Sequence, residues 1–179
     1  MAVDIVFETH AISTDNEAGL ATGWHPGRLS ARGEAAAYEL GRRRQHDGLA
    51  AVFTSDLARA RMTVELAFGG STLPVLHDWR LRECDYGQLT HHPSQVVHGC
   101  RVDYLDRPYP GGESWRQAIS RVARVLDDLP ARWDGQRVLI VGHLATRWAL
   151  EAHLRGVPLE QLVVEDVAWE PGWTYRLDD

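Results

Sequence analysis

Two histidines in this chain stand just past the ends of short apolar runs, and two further residues could work with them. His10 follows Val3-Asp4-Ile5-Val6-Phe7, and His143 follows Val138-Leu139-Ile140-Val141. Runs rich in Val, Ile and Phe read as buried strands. The loops beyond the carboxyl ends of such strands are where open α/β sheets build their sites. If the two strands lie side by side, their ends are about 5 Å apart in the pairing direction, and the two imidazoles can share one ligand. Arg59 lies one turn into the helix after a further apolar run, Leu49 to Phe53, where Ser55 and Asp56 mark a helix N-terminus. A guanidinium beside unpaired N–H groups suits an anion. Glu83, in an irregular charged stretch, supplies a carboxyl that could act as a general acid. Singly, each has an ordinary alternative: a hydrogen-bonded loop histidine, a solvated helix arginine, a surface glutamate. Together they point to acid–base or nucleophilic chemistry on an anion.

The elements that must position these residues alternate. After the first strand comes a polar, glycine-bearing stretch over 14–33, then a helix over about 30–46 with Leu40 on its apolar side and Arg42, Arg43 and Arg44 in its last turns, where cations suit the macrodipole. A helix over about 57–68 ends at Gly69-Gly70, and Pro74-Val75-Leu76 is a brief strand candidate. Residues 88–112, rich in His, Pro and aromatic residues without a sustained period, read as an excursion with room for one short helix. Ile119, Val122, Val125 and Leu126 recur at helical steps within a helix over 113–129. Another helix runs through Trp148, Leu150 and Leu154. Segments 163–169 and 173–177 flank Glu170-Pro171-Gly172, where proline then glycine fits a type II turn, so a terminal hairpin or a sharp bend is expected. Strand–helix alternation predicts an α/β chain, a three-layer α/β/α sandwich with a mostly parallel central sheet, forming one domain over 1–179.

At 179 residues the chain can bury a core without staples. Its net charge of −6 argues against nucleic acid or an anionic membrane as partner. No apolar stretch approaches the roughly 20 residues a membrane helix needs. All 19 Lys/Arg positions are arginine, the better residue for bidentate recognition of phosphate and carboxylate. Cys84 and Cys100 form no CxxC pair, and no secretory leader pattern opens the chain, so a cytoplasmic protein with free thiols is expected. His91, His92 and His98 lack a recognised ligand spacing and are expected to face solvent or substrate; no metal and no cofactor are expected. Of seven tryptophans, Trp24, Trp79 and Trp115 lie near site segments and could stack on a ligand, while Trp133, Trp148, Trp169 and Trp173 are expected to pack in or beside the core.

In this order the segments resemble the histidine phosphatase superfamily, the phosphoglycerate-mutase-like group, nearly end to end. Its opening Arg-His-Gly motif corresponds to Thr9-His10-Ala11, followed by Ile12-Ser13 and Asn16. Its Ser-Ser-Pro-Leu-x-Arg-Ala segment corresponds to Thr54-Ser55-Asp56-Leu57-Ala58-Arg59-Ala60, with Thr63 following. Leu81-Arg82-Glu83 with Gly87, Gly111-Gly112-Glu113-Ser114, and Val141-Gly142-His143-Leu144 with Arg147 complete the series. The resemblance implies phosphoryl transfer through a covalent intermediate, with His10 as nucleophile. The other ring nitrogen of His10 would need a hydrogen-bond acceptor to hold the neutral tautomer. Arg59 and His143 would bind the equatorial phosphate oxygens, with Asn16, Ser13 and the backbone N–H of Leu144 as further donors. Glu83 would protonate the leaving oxygen and then deprotonate the hydrolytic water. The partner implied is a small phosphorylated substrate.

The chain departs from that pattern where charge matters most. Thr9 stands in place of the motif arginine, and Ala11 in place of the glycine. Losing one preorganised donor of this kind costs on the order of 3 kcal/mol, or roughly 100- to 1,000-fold in rate. Three readings follow. Arg28, Arg61, Arg147 or His25 replaces the missing cation; the protein is a degenerate member that binds a phosphorylated ligand; or His10, His143 and Glu83 perform acid–base chemistry on a non-phosphate substrate. Retention of Glu83 favours a metal-independent phosphatase-like enzyme. Hydrolysis is expected over mutase activity because the chain is short, and the excursion is expected to cover the pocket and set specificity. An exposed edge strand would allow a homodimer.

Overall fold

The structure, a computed structural model, describes residues 2–165 and 168–178. Five strands, β1 (Ala2–Thr9), β2 (Leu49–Thr54), β3 (Val75–His77), β4 (Arg137–Gly142) and β5 (Trp173–Asp178), form one sheet in the order β3-β2-β4-β1-β5. The β3–β2, β2–β4 and β4–β1 pairings are parallel, and β5 closes the far edge antiparallel to β1. The helices are α1 (Thr14–Glu17), α2 (Ala31–Arg44), α3 (Ala58–Phe68), α4 (Ser94–Gly99), α5 (Trp115–Asp128), α6 (Pro130–Trp133), α7 (Leu144–Arg155) and α8 (Leu159–Leu162).

Strand periodicity sorts the core into two layers. Val3, Ile5 and Phe7 of β1, with Val138 and Ile140 of β4, meet Ile119, Val122 and Leu126 of α5 and Trp148 of α7. The alternate residues Val6, Val52, Leu139 and Val141 meet Leu40 of α2 and Val64 and Phe68 of α3. Helices therefore cover both faces, giving the three-layer α/β/α sandwich. It also explains why Val138 to Val141 is apolar without alternation: as the middle strand, β4 is covered on both sides. Ser30 caps α2 by accepting from Gly33 N–H, and Ser114 with Gln117 forms a capping box at α5.

One expectation changes and one is decided. The excursion carries α4 and two 3₁₀ turns, Gly87–Leu89 and Arg101–Tyr104, rather than one short helix. Of the hairpin and the bend expected at the chain end, the bend forms. Trp173–Asp178 pairs with β1, whereas residues 163–165 form a turn after α8 and 168–170 are not strand; 166–167 lie outside the described residues. The first strand in sequence leaves an edge for the last to occupy, and long-range pairing wins over the local turn.

The sheet register sets up the site. Thr9 of β1 pairs with Gly142 of β4, and Thr54 of β2 pairs with Val141. The His10 N–H continues the ladder by donating to the Gly142 carbonyl at 2.9 Å. His10, Ser55 and His143 thus leave the sheet together at one edge.

Candidate active site

The two imidazole rings lie with centroids 5.0 Å apart, tilted by 52°. Between them sits Arg59, buried at 2% exposure. Its Nε donates to His10 Nε2 at 3.2 Å, and its Nη2 to His143 Nδ1 at 3.3 Å. A guanidinium has no acceptor, so each of those ring nitrogens presents a lone pair. The protons are then placed by elimination. His10 Nδ1–H donates to the Ala11 carbonyl at 2.7 Å, and His143 Nε2–H donates to Ser55 Oγ at 2.7 Å. The acceptor that a nucleophilic His10 needs is thus its neighbour's backbone. Burial first, and Arg59 second, drop the His10 pKa to about 3 against the weaker opposing effect of the Ala11 bond. Burial, then Arg59 and His10, hold His143 well below its ordinary value. Both rings are neutral at physiological pH.

The loop after β1 is fixed from α3 and α2. Ala11 N–H donates to Thr63 Oγ1 at 3.0 Å, and Thr63 Oγ1 donates to the Arg59 carbonyl at 2.8 Å. Gly33, at the start of α2, lies so close to the Ile12 carbonyl that a Cβ there would overlap it. Arg59 also donates to the carbonyls of Gly23 at 2.9 Å and His25 at 3.3 Å, which ties the 14–33 loop to the site.

Glu83 reaches the same place from the irregular segment. Its Oε1 accepts from the Cys84 and Ala145 N–H groups at 2.9 and 3.1 Å, and its Oε2 from Leu144 N–H at 3.1 Å. The carboxyl therefore sits on the α7 N-terminus, where the dipole favours negative charge. Its own carbonyl accepts from Trp24 Nε1 at 2.6 Å and from Arg121 Nη2 at 3.2 Å. Arg121 in turn is paired with Glu113 at 2.7 Å. Glu83 is held by backbone and side chain alike.

A cavity of about 730 Å³ opens over His10, Glu83 and His143, while Arg59 lines a smaller one that shares His10 and Glu83 with it. The walls of the larger include His10, Glu83 and His143, with Thr9, Asn16 and the Leu144 residue itself. Two expected donors are otherwise engaged. Leu144 N–H is committed to Glu83, and Ser13 is fully buried as the cap of α1, accepting from Asn16 N–H at 3.1 Å and donating to Asn16 Oδ1 at 2.9 Å. Ser13 positions Asn16 and is not on the cavity wall. None of the expected replacement cations lines it either. Arg61 pairs with Glu65, Arg147 pairs with Glu151 beneath Trp173, Arg28 is exposed, and the His25 ring lies against His91.

The cations on that wall are instead Arg43 and Arg101. Arg43 is bound to the buried Glu8 at 3.1 and 3.2 Å. Arg101 is 7% exposed, lies over the Trp148 ring at 5.4 Å, and its buried Nε has no hydrogen-bond partner among the described residues. It comes from the excursion, where no periodicity marks it. The tryptophans also redistribute: Trp24 braces Glu83, Trp115 is wholly in the core, and Trp79 is half exposed, while Trp169, expected to pack, lines the cavity. His98 faces the cavity from the excursion. No described helix is long and apolar enough to cross a membrane, and Cys84 and Cys100 are free thiols.

Comparison with known proteins gives the family. Residues 5–168 match the sequence model of the histidine phosphatase superfamily, branch 1. A 2,3-bisphosphoglycerate-dependent phosphoglycerate mutase of Methylobacterium radiotolerans is 34% identical over 97% of this chain and 89% of its own length. Among solved structures, Bacillus stearothermophilus YhfR superposes with a TM-score of 0.82 at 26% identity, covering 98% of this chain and 91% of that one. The alpha-ribazole phosphatase of Shigella flexneri superposes with a TM-score of 0.77 at 27% identity over 89% and 83% of the two chains. Its relatives include both mutases and phosphatases, and with a family match across nearly its whole length the chain belongs to the histidine phosphatase superfamily.

Proposed function

We propose that the protein hydrolyses a small phosphate monoester through a phosphohistidine on His10. The observation that carries this reading is the pair of bonds on that ring: Nδ1–H to the Ala11 carbonyl, and an Nε2 lone pair turned toward Arg59 and His143. A neutral imidazole so held is a nucleophile without needing to lose a proton. His10 Nε2 attacks phosphorus, the bond from phosphorus to the leaving oxygen breaks, and the proton that oxygen takes up passes through Glu83 from the monoanionic ester. Water then attacks phosphorus, the N–P bond breaks, and Glu83 takes a proton from the water and passes it to the departing phosphate. Arg59 binds the equatorial oxygens, and preorganised donors at a desolvated site are where most of the rate enhancement arises; His143, whose one N–H is held by Ser55 and whose Nδ1 presents a lone pair, stands beside them as an acceptor and not as the donor the sequence suggests. Arg101 supplies the second cation that Thr9 does not.

A mutase reading draws on the Methylobacterium radiotolerans relative. This chain spans 89% of that mutase, so chain length does not separate the two activities. The test is incubation with an aryl phosphate, detection of acid-labile phosphohistidine, and repetition with His10→Ala. Turnover and phosphohistidine that both vanish in the variant support hydrolysis. Interconversion of phosphoglycerates that depends on 2,3-bisphosphoglycerate would favour the mutase. Tight vanadate binding without turnover would favour a binding role, and neither binding nor turnover a substrate that carries no phosphate.

A further inference from the structure

A second cluster of ligating groups lies outside the phosphate chemistry, on the loops that flank the cavity. Asp15 of α1, His25 of the following loop and His91 of the excursion bring one carboxylate and two imidazoles together, with their ligating atoms all within 4.8 Å of one another. His91 Nε2 is 3.2 Å from Asp15 Oδ2, and the His25 and His91 rings have centroids 3.9 Å apart. Three ligands at bonds of about 2.0–2.1 Å in a tetrahedron sit about 3.4 Å from one another, so small side-chain rotations suffice to converge on one ion. Two imidazoles and a carboxylate form a borderline donor set that suits zinc, with exposure leaving the fourth position to water.

The backbone holds the three segments ready. His91 has a φ of +64°, a left-handed conformation taken by no other described residue except glycines. For a non-glycine this costs of the order of a kcal/mol. It is held by a 2.7 Å bond from His91 N–H to the Ala21 carbonyl and by the bridge between Leu20 and Pro93. On the other side, the His25 N–H donates to the Thr22 carbonyl at 2.9 Å. The spacing in sequence hid the group, because its partners are separated by 10 and 66 positions and belong to no local motif.

We propose that Asp15, His25 and His91 bind one divalent transition-metal ion of the zinc class, clamping the 14–33 loop to the excursion. The clamp reaches the proposed active site through backbone alone: the His25 carbonyl accepts from Arg59, and Asp15 precedes Asn16 on the cavity wall. Its role is to fix the two loops that carry those contacts, and it is independent of whether the pocket hydrolyses phosphate.

Chelator-treated protein is titrated with zinc by calorimetry and with cobalt by visible absorption, and thermal unfolding is followed with and without zinc. One zinc per chain at micromolar affinity, cobalt bands of low coordination number and a rise in Tm are expected. His25→Ala and Asp15→Asn should each weaken binding at least about tenfold, since even groups that merely support a ligand cost 10- to 100-fold when lost. His91→Gly separates ligation from folding. Glycine accepts the left-handed backbone, so the metal-free variant should melt at or above the wild-type temperature yet lose the zinc-induced rise. His92→Ala, next to the cluster but outside it, should bind as wild type does. Absence of saturable binding at micromolar zinc, or affinity unchanged in His25→Ala and His91→Gly, would overturn the proposal.

Discussion

Replacing His10 with glutamine tests whether the fold holds the nucleophile neutral. Unfolded, His10 takes up its proton near pH 6.5; folded, burial and then Arg59 lower that pKa to about 3. Between those values the unfolded chain binds a proton that the folded chain refuses, so acidification through the window lowers stability. From pH 7.5 to 5.5, one such histidine removes RT ln(11/1.1), about 1.4 kcal/mol. That figure requires only a folded pKa well below 5.5. His143 is shifted in the same direction, chiefly by burial, so it adds to the loss on acidification. Urea unfolding at pH 7.5, 6.5 and 5.5 reads this directly. Wild type should lose about 1.4 kcal/mol more than His10→Gln across the range, and more again than the His10→Gln/His143→Gln pair. Comparing variant with wild type at each pH cancels the other histidines, and carboxylates titrate below the window. An identical pH slope in His10→Gln would refute the reasoning, because the folded imidazole would then be taking up its proton near pH 6.5.

Three further outcomes follow from the site. Arg101→Met should keep or raise the Tm, because it removes a buried charge with no carboxylate partner among the described residues, while lowering aryl phosphate kcat/KM by roughly 100- to 1,000-fold; adding Thr9→Arg to that variant should restore activity, whereas Thr9→Arg alone should change wild type little. Loss of activity by Thr9→Arg alone with no rescue in the double variant would mean that the two positions do not serve one phosphate. Glu83→Gln should slow alkyl phosphates by roughly 100- to 10,000-fold and nitrophenyl phosphate much less, since a good leaving group needs no proton; equal losses on both would point to misplacement of α7 instead. Gly33→Ala should destabilise by about 1–3 kcal/mol in urea, because its Cβ meets the Ile12 carbonyl and the loop carrying His10 must move.

What could be read from the sequence follows from which signals are local. β1 and β4 are apolar because the sheet buries them, and a histidine one residue past each strand needs only their adjacency to reach the other. The five motif segments lie at such strand ends or helix starts, so their order was informative. Arg101, Trp169 and the Asp15, His25 and His91 group come from loops whose geometry is fixed by contacts distant in sequence. A residue there has no period to betray which way it faces. Glu83 was identified, but its three backbone donors were not, because they depend on where the α7 N-terminus docks. Leu144 was expected as a substrate donor for the same reason: a helix N-terminus advertises free N–H groups, and the sequence does not say which carboxylate claims them. Thr9 points to Arg28, Arg61, Arg147 or His25 as the replacement cation, whereas the cavity takes Arg101 from the excursion.

The position of Arg59 has a consequence for how the pocket rests. Its guanidinium donates to the very lone pair on His10 that would attack phosphorus, and to the matching one on His143. In the proposed reaction the free protein is therefore its own competitor: the proposed nucleophile is masked by the cation that would later serve the substrate. An arriving phosphate must draw those N–H groups onto its oxygens, and in doing so it uncovers the nitrogen that will attack it. Reactivity is switched on by the ligand's charge, so a neutral electrophile entering the same cavity meets a nitrogen already in use.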